Sequence, residues 1–384
     1  MIDEHTLYFQ KDEKEKIEGT VYIIPGNPDK GFNFNYAVYI PTTIDEYTSL
    51  LMYSCNTGGN VPIKLDEAID IAKKSTYTRP HPGIWHGSNL NLPVLIPLVP
   101  RVRSYYTQAL GSAVFNNDVT FLKEAQEHSR YPLTDEEIEE IREYCYNIPE
   151  QVVNIIEDAK NFLKEKGIEV DDKVIAEGYS AGSKFANYFT ALHPELVKCV
   201  VAGGTSGLPI IPLKELNGVE LNFPLGVNDL PNFNYEEFSK IPQLYYIGDK
   251  DFNDPAMPAV TFITDEQGEY IIEGEDYKVL RDEEGNIIPR LGENGELIPR
   301  YGECYSVEEM KIIHTYLGTN PQNRFDYNQI LYEQCGINAE FVKLPGTHNT
   351  VTMNYDEFGR AIVNNLVEEF ITRTLETELT NKRD

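Results

Sequence analysis

The residue of this chain best placed to do chemistry is a serine, held in the pattern Gly178-Tyr179-Ser180-Ala181-Gly182. Before it, Val174, Ile175 and Ala176 form a short apolar run of buried-strand character. After it, Phe185 to Leu192 continue with helical spacing that stops at His193-Pro194. Strand, tight turn and helix in that order make Gly-x-Ser-x-Gly a nucleophile elbow. The glycines let strand and helix approach closely, and the serine takes a strained backbone that lifts its hydroxyl above the sheet edge. A serine hydroxyl is a poor nucleophile at neutral pH. It needs a base within hydrogen-bond reach and a carboxylate that holds the base in the correct tautomer.

Both partners are available after strands. His348 follows the strand-like run Phe341 to Leu344 in Pro345-Gly346-Thr347-His348, and Asp251 follows the strand-like run Gln243 to Ile247. Asp249 and Asp254 share the loop of Asp251 and are the alternatives for the acid. Asp251 is preferred because it lies far enough past the strand to turn back toward the base. Among the other histidines, His81 and His86 fall in the Pro- and His-rich stretch entering the next strand, hence at the opposite edge. His193 ends the elbow helix, and His5, His128 and His314 show no partner in the sequence. Acyl chemistry also needs donors aimed at the developing oxyanion. The backbone N–H of Ala181 is one, and Asn56 or Thr57, just past an apolar strand and beside Gly58-Gly59, supplies the other. Tyr179, Arg101, Arg103, Tyr105 and Tyr106 are the candidates for lining a substrate pocket.

The elements that must position these groups alternate. Val21 to Pro25 and Tyr36 to Pro41 read as an antiparallel strand pair, and Ser49 to Cys55 as a buried strand. A helix follows over Leu65 to Ser75 and a strand over Pro93 to Val99. Thr134-Asp135-Glu136-Glu137 opens a helix through Tyr146, and Pro149 to Lys166 is a second, ended by Gly167. Strands over Lys198 to Ala202, Gln243 to Ile247 and Glu340 to Leu344 follow the elbow. Helices over Ser306 to Leu317, Gln322 to Gln334 and Tyr355 to Leu379 complete the pattern. Such alternation implies one α/β domain over residues 1–384, with a mostly parallel sheet, helices on both faces, and ligands bound beyond the carboxyl ends of the strands. Residues 101–150 form a helical excursion after a core strand. Residues 264–302 are charged and Gly-rich, with EEGNIIPRLG followed at once by ENGELIPRYG. This near-duplication suits short β-hairpins inserted between acid and base. It reads as a solvent-facing excursion or as a lid presenting Arg290 and Arg300.

Bulk composition excludes some classes. The net charge is −29, so nucleic acid and anionic membranes are repelled and neither is expected as a partner. The five cysteines are odd in number and widely spaced, without a Cys-x-x-Cys pair. They indicate neither a disulfide framework nor a zinc site. The polar, acidic first residues are unlike a signal peptide, and no run approaches the length of a membrane span. A cytoplasmic location is the expectation, although a removed leader would leave no trace.

With these residues in view, the chain resembles the α/β-hydrolase superfamily, and within it the esterase and polyhydroxyalkanoate-depolymerase-like branch. The likeness rests on Gly178 to Gly182, Leu192-His193-Pro194, Tyr106 to Leu110, Gly203-Gly204 and Gly248 to Asp254. It implies Ser180 as nucleophile, Asp251 as acid and His348 as base, acting on a small or polymeric carboxylic ester without metal or organic cofactor. The acidic insertion and an oxyanion loop lacking His-Gly-Gly-Gly depart from the pattern. A peptidase of the same fold and a non-catalytic binding relative remain open alternatives.

Overall fold

The computed structural model describes residues 2–10, 16–44, 47–54, 82–99, 134–144, 146–230, 232–258, 260–261, 263–267, 271–273, 276–283, 288–291, 295, 305–353, 355 and 361–381. The expected helix over Leu65 to Ser75 and the first part of the 101–150 excursion lie outside these residues.

The strands are β1 (Asp3–Gln10), β2 (Lys16–Ile24), β3 (Tyr36–Pro41), β4 (Tyr47–Ser54), β5 (Val94–Pro97), β6 (Glu169–Tyr179) and β7 (Val197–Gly203). Next come the short pair β8 (Glu215–Leu216) and β9 (Val219–Glu220), then β10 (Gln243–Gly248), a second short pair β11 (Ile272–Glu273) and β12 (Asp276–Tyr277), and β13 (Ala339–Leu344). Nine of them form one sheet in the order β1-β2-β3-β5-β4-β6-β7-β10-β13. From β5 to β13 every neighbour runs parallel. β2 is antiparallel to both of its neighbours, β1 and β3, and β3 is antiparallel to β5.

Side-chain alternation divides the core into two layers. Leu50, Met52, Val174, Ala176, Val200, Ala202, Tyr245 and Ile247 face one side, where they meet Ile155, Phe185, Phe189 and Phe325. Their neighbours Leu51, Tyr53, Ile175, Cys199, Val201, Leu244 and Tyr246 face the other side, against Ile84, Val367 and Ile371. Period-two burial on both faces is what a parallel sheet covered by helices requires. The first layer is covered by α3 (Ile148–Glu165), α4 (Ala181–Leu192) and α7 (Pro321–Gln334), and the second by α1 (Pro82–Leu90) and α8 (Ile362–Asn381). Among the described residues the remaining α-helices are α2 (Asp135–Tyr144), α5 (Tyr235–Lys240) and α6 (Val307–Ile312). α6 opens on a capping box between Ser306 and Glu309 and passes directly into a π-helical turn, Ile313–Leu317.

Several expectations change. The Pro- and His-rich stretch before β5 contains helix α1 rather than a continuous loop. The antiparallel pair β2 and β3 is flanked by a further edge strand, β1, that the polar N-terminus did not announce. The closing helix starts at Ile362 and not at Tyr355, which instead makes an isolated antiparallel bridge with Ala361. Within the insertion, β11 and β12 form a two-stranded antiparallel ladder, and Pro289 is bridged by Val260, which precedes the insertion. Arg290 is exposed, and Arg300 lies outside the described residues. Among the described residues no helix is long and apolar enough to cross a membrane.

Candidate active site

β6 runs straight into Ser180, and α4 begins at the next residue. Ser180 has φ 56° and ψ −121°, a conformation that costs an L-residue about 1–3 kcal/mol and persists only where its surroundings impose it. The surroundings do so here. A Cβ on residue 178 would lie 2.2 Å from the Gly182 carbonyl oxygen, so only glycine lets the helix start this close to the strand. The Ser180 N–H donates to the Gly203 carbonyl at 2.8 Å, tying the elbow to the end of β7. The Ser183 hydroxyl donates to the Ser180 carbonyl at 2.6 Å.

Two further strands deliver the partners. Past β13, His348 lies on a loop closed onto the loop after β10. The Gly346 N–H donates to the Asp249 carboxylate at 2.9 Å, and the Lys250 N–H donates to the Gly346 carbonyl at 2.9 Å. His348 Nε2 is then 2.9 Å from Ser180 Oγ, and His348 Nδ1 is 2.8 Å from Asp251 Oδ2. With Nδ1 donating to the carboxylate, Nε2 is left as the acceptor for the serine proton. The Asp251 side chain is fully buried and that of His348 is 15% exposed. The second oxygen of Asp251 accepts the Asn253 N–H at 3.0 Å, which fixes the carboxylate plane.

The three aspartates of this loop therefore have separate partners. Asp249 receives the Gly346 N–H on the base loop, and Asp251 faces His348. Asp254 is buried in an ion pair with Arg324 and also accepts the Ala256 N–H at 2.9 Å.

Ala181 opens α4, where the first helical N–H groups have no acceptor within the helix. Asn56 and Thr57 lie outside the described residues. β4 ends at Ser54, which pairs with Gly178, two positions before the serine. Arg101, Arg103, Tyr105 and Tyr106 also lie outside the described residues. Tyr179 is 8% exposed, and its hydroxyl donates to the His348 carbonyl while its ring lies 5.2 Å from the imidazole. Burial, with the charge of Asp251 adding to it, pushes the Tyr179 phenol well above its ordinary range, so it stays a neutral donor. Its hydroxyl hydrogen is committed to the loop that carries His348.

Sequence reasoning missed two supports. Gly204, at φ 65°, is placed so that a Cβ would come within 3.0 Å of His348 Cε1 and 3.1 Å of the Tyr179 ring. The adjacent Gly203-Gly204 pair was the available signal. The second is His86, which is a buried residue of α1 and not a loop residue. Its Nδ1 is 2.7 Å from Glu177 on β6, and its Nε2 is 3.3 Å from Asn364 on α8. Burial opposes the charged imidazole, but the neighbouring Glu177 carboxylate outweighs it and raises the pKa of His86.

A serine on a strand-to-helix elbow at the carboxyl end of a mostly parallel sheet, with the aspartate and histidine that meet it following in the chain order Ser, Asp, His, settles the architecture. The chain has the α/β-hydrolase fold. No family model matches it, and no curated protein matches its sequence. Among solved structures it is similar to poly(aspartic acid) hydrolase-1 from Sphingomonas sp. KT-1, at 13% identity and a TM-score of 0.44, covering 90% of this chain and 93% of the other. It is also similar to an S-formylglutathione hydrolase from Agrobacterium tumefaciens, at 11% identity and a TM-score of 0.41, covering 96% and 99% of the two chains. Est1E from Butyrivibrio proteoclasticus matches at 12% identity and a TM-score of 0.33, over 97% of this chain and 99% of the other.

Proposed function

We propose that this chain is a serine hydrolase that cleaves carboxylic esters through an acyl-enzyme intermediate. The observation that carries the reading is the unbroken relay from Ser180 Oγ to His348 Nε2 at 2.9 Å and from His348 Nδ1 to Asp251 at 2.8 Å, built on a serine with φ 56°. Ser180 attacks the ester carbonyl carbon while its proton passes to Nε2. Asp251 stabilises the imidazolium and keeps Nδ1 as the donor. The oxyanion is met by the Ala181 N–H, with the second donor expected from Asn56 or Thr57. His348 then returns the proton to the leaving alcohol. In the second half, water gives up a proton to His348 and attacks the acyl carbon, which regenerates Ser180 and releases the acid. Arg101, Arg103, Tyr105 and Tyr106 are proposed to line the substrate pocket. Tyr179, whose hydroxyl holds the base loop, is assigned to positioning.

Labelling with a fluorophosphonate probe tests this directly. Wild-type protein is expected to label stoichiometrically and Ser180→Ala not at all. Folded wild-type protein that stays unlabelled overturns the reading. p-Nitrophenyl esters alongside aminoacyl anilides test the bond type, and hydrolysis of anilides alone assigns the chain to the peptidases of this fold.

A further inference from the structure

The serine and the imidazole are each held by their own strand and turn, but Asp251 sits three residues beyond β10, where the sheet no longer fixes the chain. Within its loop, the Asp251 N–H donates to the Gly248 carbonyl at 3.0 Å. From outside it, Gln322 reaches in from α7. Its side-chain amide donates to the Gly248 carbonyl at 2.7 Å and to the Asp251 carbonyl at 3.0 Å. One planar group thus clamps the end of β10 to the acid, using both of its N–H donors. We infer that Gln322 is a positioning residue that sets the aim of the Asp251 carboxylate at His348, an inference that rests on the hydrolase reading above.

The seat of Gln322 is itself fixed. Pro321 begins α7, the Asn320 side chain caps it by accepting the Asn323 N–H at 3.0 Å, and Gln322 is the next residue in its first turn. Two positions later, Arg324 is fully buried, donates to the Gly318 carbonyl at 2.9 Å and pairs with Asp254. The first turn of α7 therefore grips the acid loop at Gly248, Asp251 and Asp254. Beyond this grip the chain leaves for the insertion, and Val260, just before it, bridges Pro289 within it. The charged groups around the grip are Asp254, Arg324 and His314, whose pKa is lowered by burial and by the adjacent guanidinium.

Gln322→Met preserves the length of the side chain and removes both bonds. On p-nitrophenyl acetate, kcat is expected to fall roughly tenfold or more, the scale of loss that follows a misplacement of catalytic groups of about 1 Å. KM should stay within about twofold, because the amide touches no substrate. The discriminating measurement places Gln322→Met on an Asp251→Asn background. If Gln322 acts through the acid, its effect there shrinks to less than about twofold, whereas a general structural role costs the same in both backgrounds. Gln322→Asn, which keeps the amide but withdraws it by one methylene, carries the same cycle should the methionine variant not fold. A kcat within about twofold of wild type, or losses that multiply fully, overturns the assignment of Gln322 alone. Wild-type protein inert to both the ester and a fluorophosphonate overturns the hydrolase reading instead.

Discussion

Asp251 and Asp254 are three residues apart and both buried, yet they have different partners, His348 and Arg324, so under the proposed mechanism their amide variants should fail in opposite ways. Asp251→Asn keeps the side-chain shape and the oxygen that accepts the Asn253 N–H, but turns an acceptor toward His348 Nδ1 into a group that favours the wrong tautomer. In a serine–histidine–aspartate site this costs about 10⁴ in kcat, or about 5 kcal/mol of transition-state stabilisation at 1.36 kcal/mol per factor of ten. Folding should be little affected, with the unfolding free energy within about 1 kcal/mol of wild type. Asp254→Asn leaves Arg324, which is fully buried, without its counter-charge. Removing one partner of such a pair costs about 3–5 kcal/mol of stability, while the kcat of the folded fraction should remain within about tenfold of wild type. Urea unfolding followed by far-ultraviolet circular dichroism, with steady-state turnover of p-nitrophenyl acetate on the same preparations, reads both quantities. A folded Asp254→Asn enzyme reduced a thousandfold, alongside an Asp251→Asn enzyme that still turns over, would refute the assignment of the acid.

Two other outcomes follow from the geometry. Gly204→Ala places a methyl 3.0 Å from His348 Cε1 at a residue with φ 65°; the left-handed backbone alone costs about 1–2 kcal/mol, so urea titration should show that loss, and kcat should fall at least about tenfold as the imidazole is displaced. The buried His86–Glu177 pair predicts a pH-dependent stability. The pKa of His86 is raised in the folded state, so its contribution is fully present below the unfolded value of about 6.5 and is lost as pH rises through the folded one. Unfolding free energy measured from pH 6 upward should therefore fall more steeply in wild type than in a His86→Gln/Glu177→Gln double variant, and parallel curves would show that the pair does not carry the proton.

How much of this was legible beforehand depended on whether the information was local. The elbow was, because strand, glycine, serine, glycine and helix all fall within residues 174–192, and each choice there answers a steric demand visible at short range. The meeting of His348 with Ser180 was legible because a residue that follows a strand lies at the serine's edge, and Glu340 to Leu344 is a recognisable strand. Its distance past the strand favoured Asp251, and the structure separates it from Asp254 through their partners, His348 for the one and Arg324, 70 positions away, for the other. Spacing along the loop carries no trace of that pairing. Helix α1 was missed for an instructive reason. Its sequence, PGIWHGSNL, is poor in helix formers and contains two glycines. Yet a Cβ at Gly83 would meet Tyr53 Cβ at 2.4 Å, and one at Gly87 would meet Val94 at 2.2 Å. The residues that weaken the helix locally are those that let it lie against the sheet, so tertiary packing overrides propensity where propensity is poorest. Gln322 belongs with Arg324. A lone glutamine one residue into a helix is unremarkable until the strand end, the acid and the helix cap are brought to one point, and only then does its amide become the group on which the aim of the acid depends.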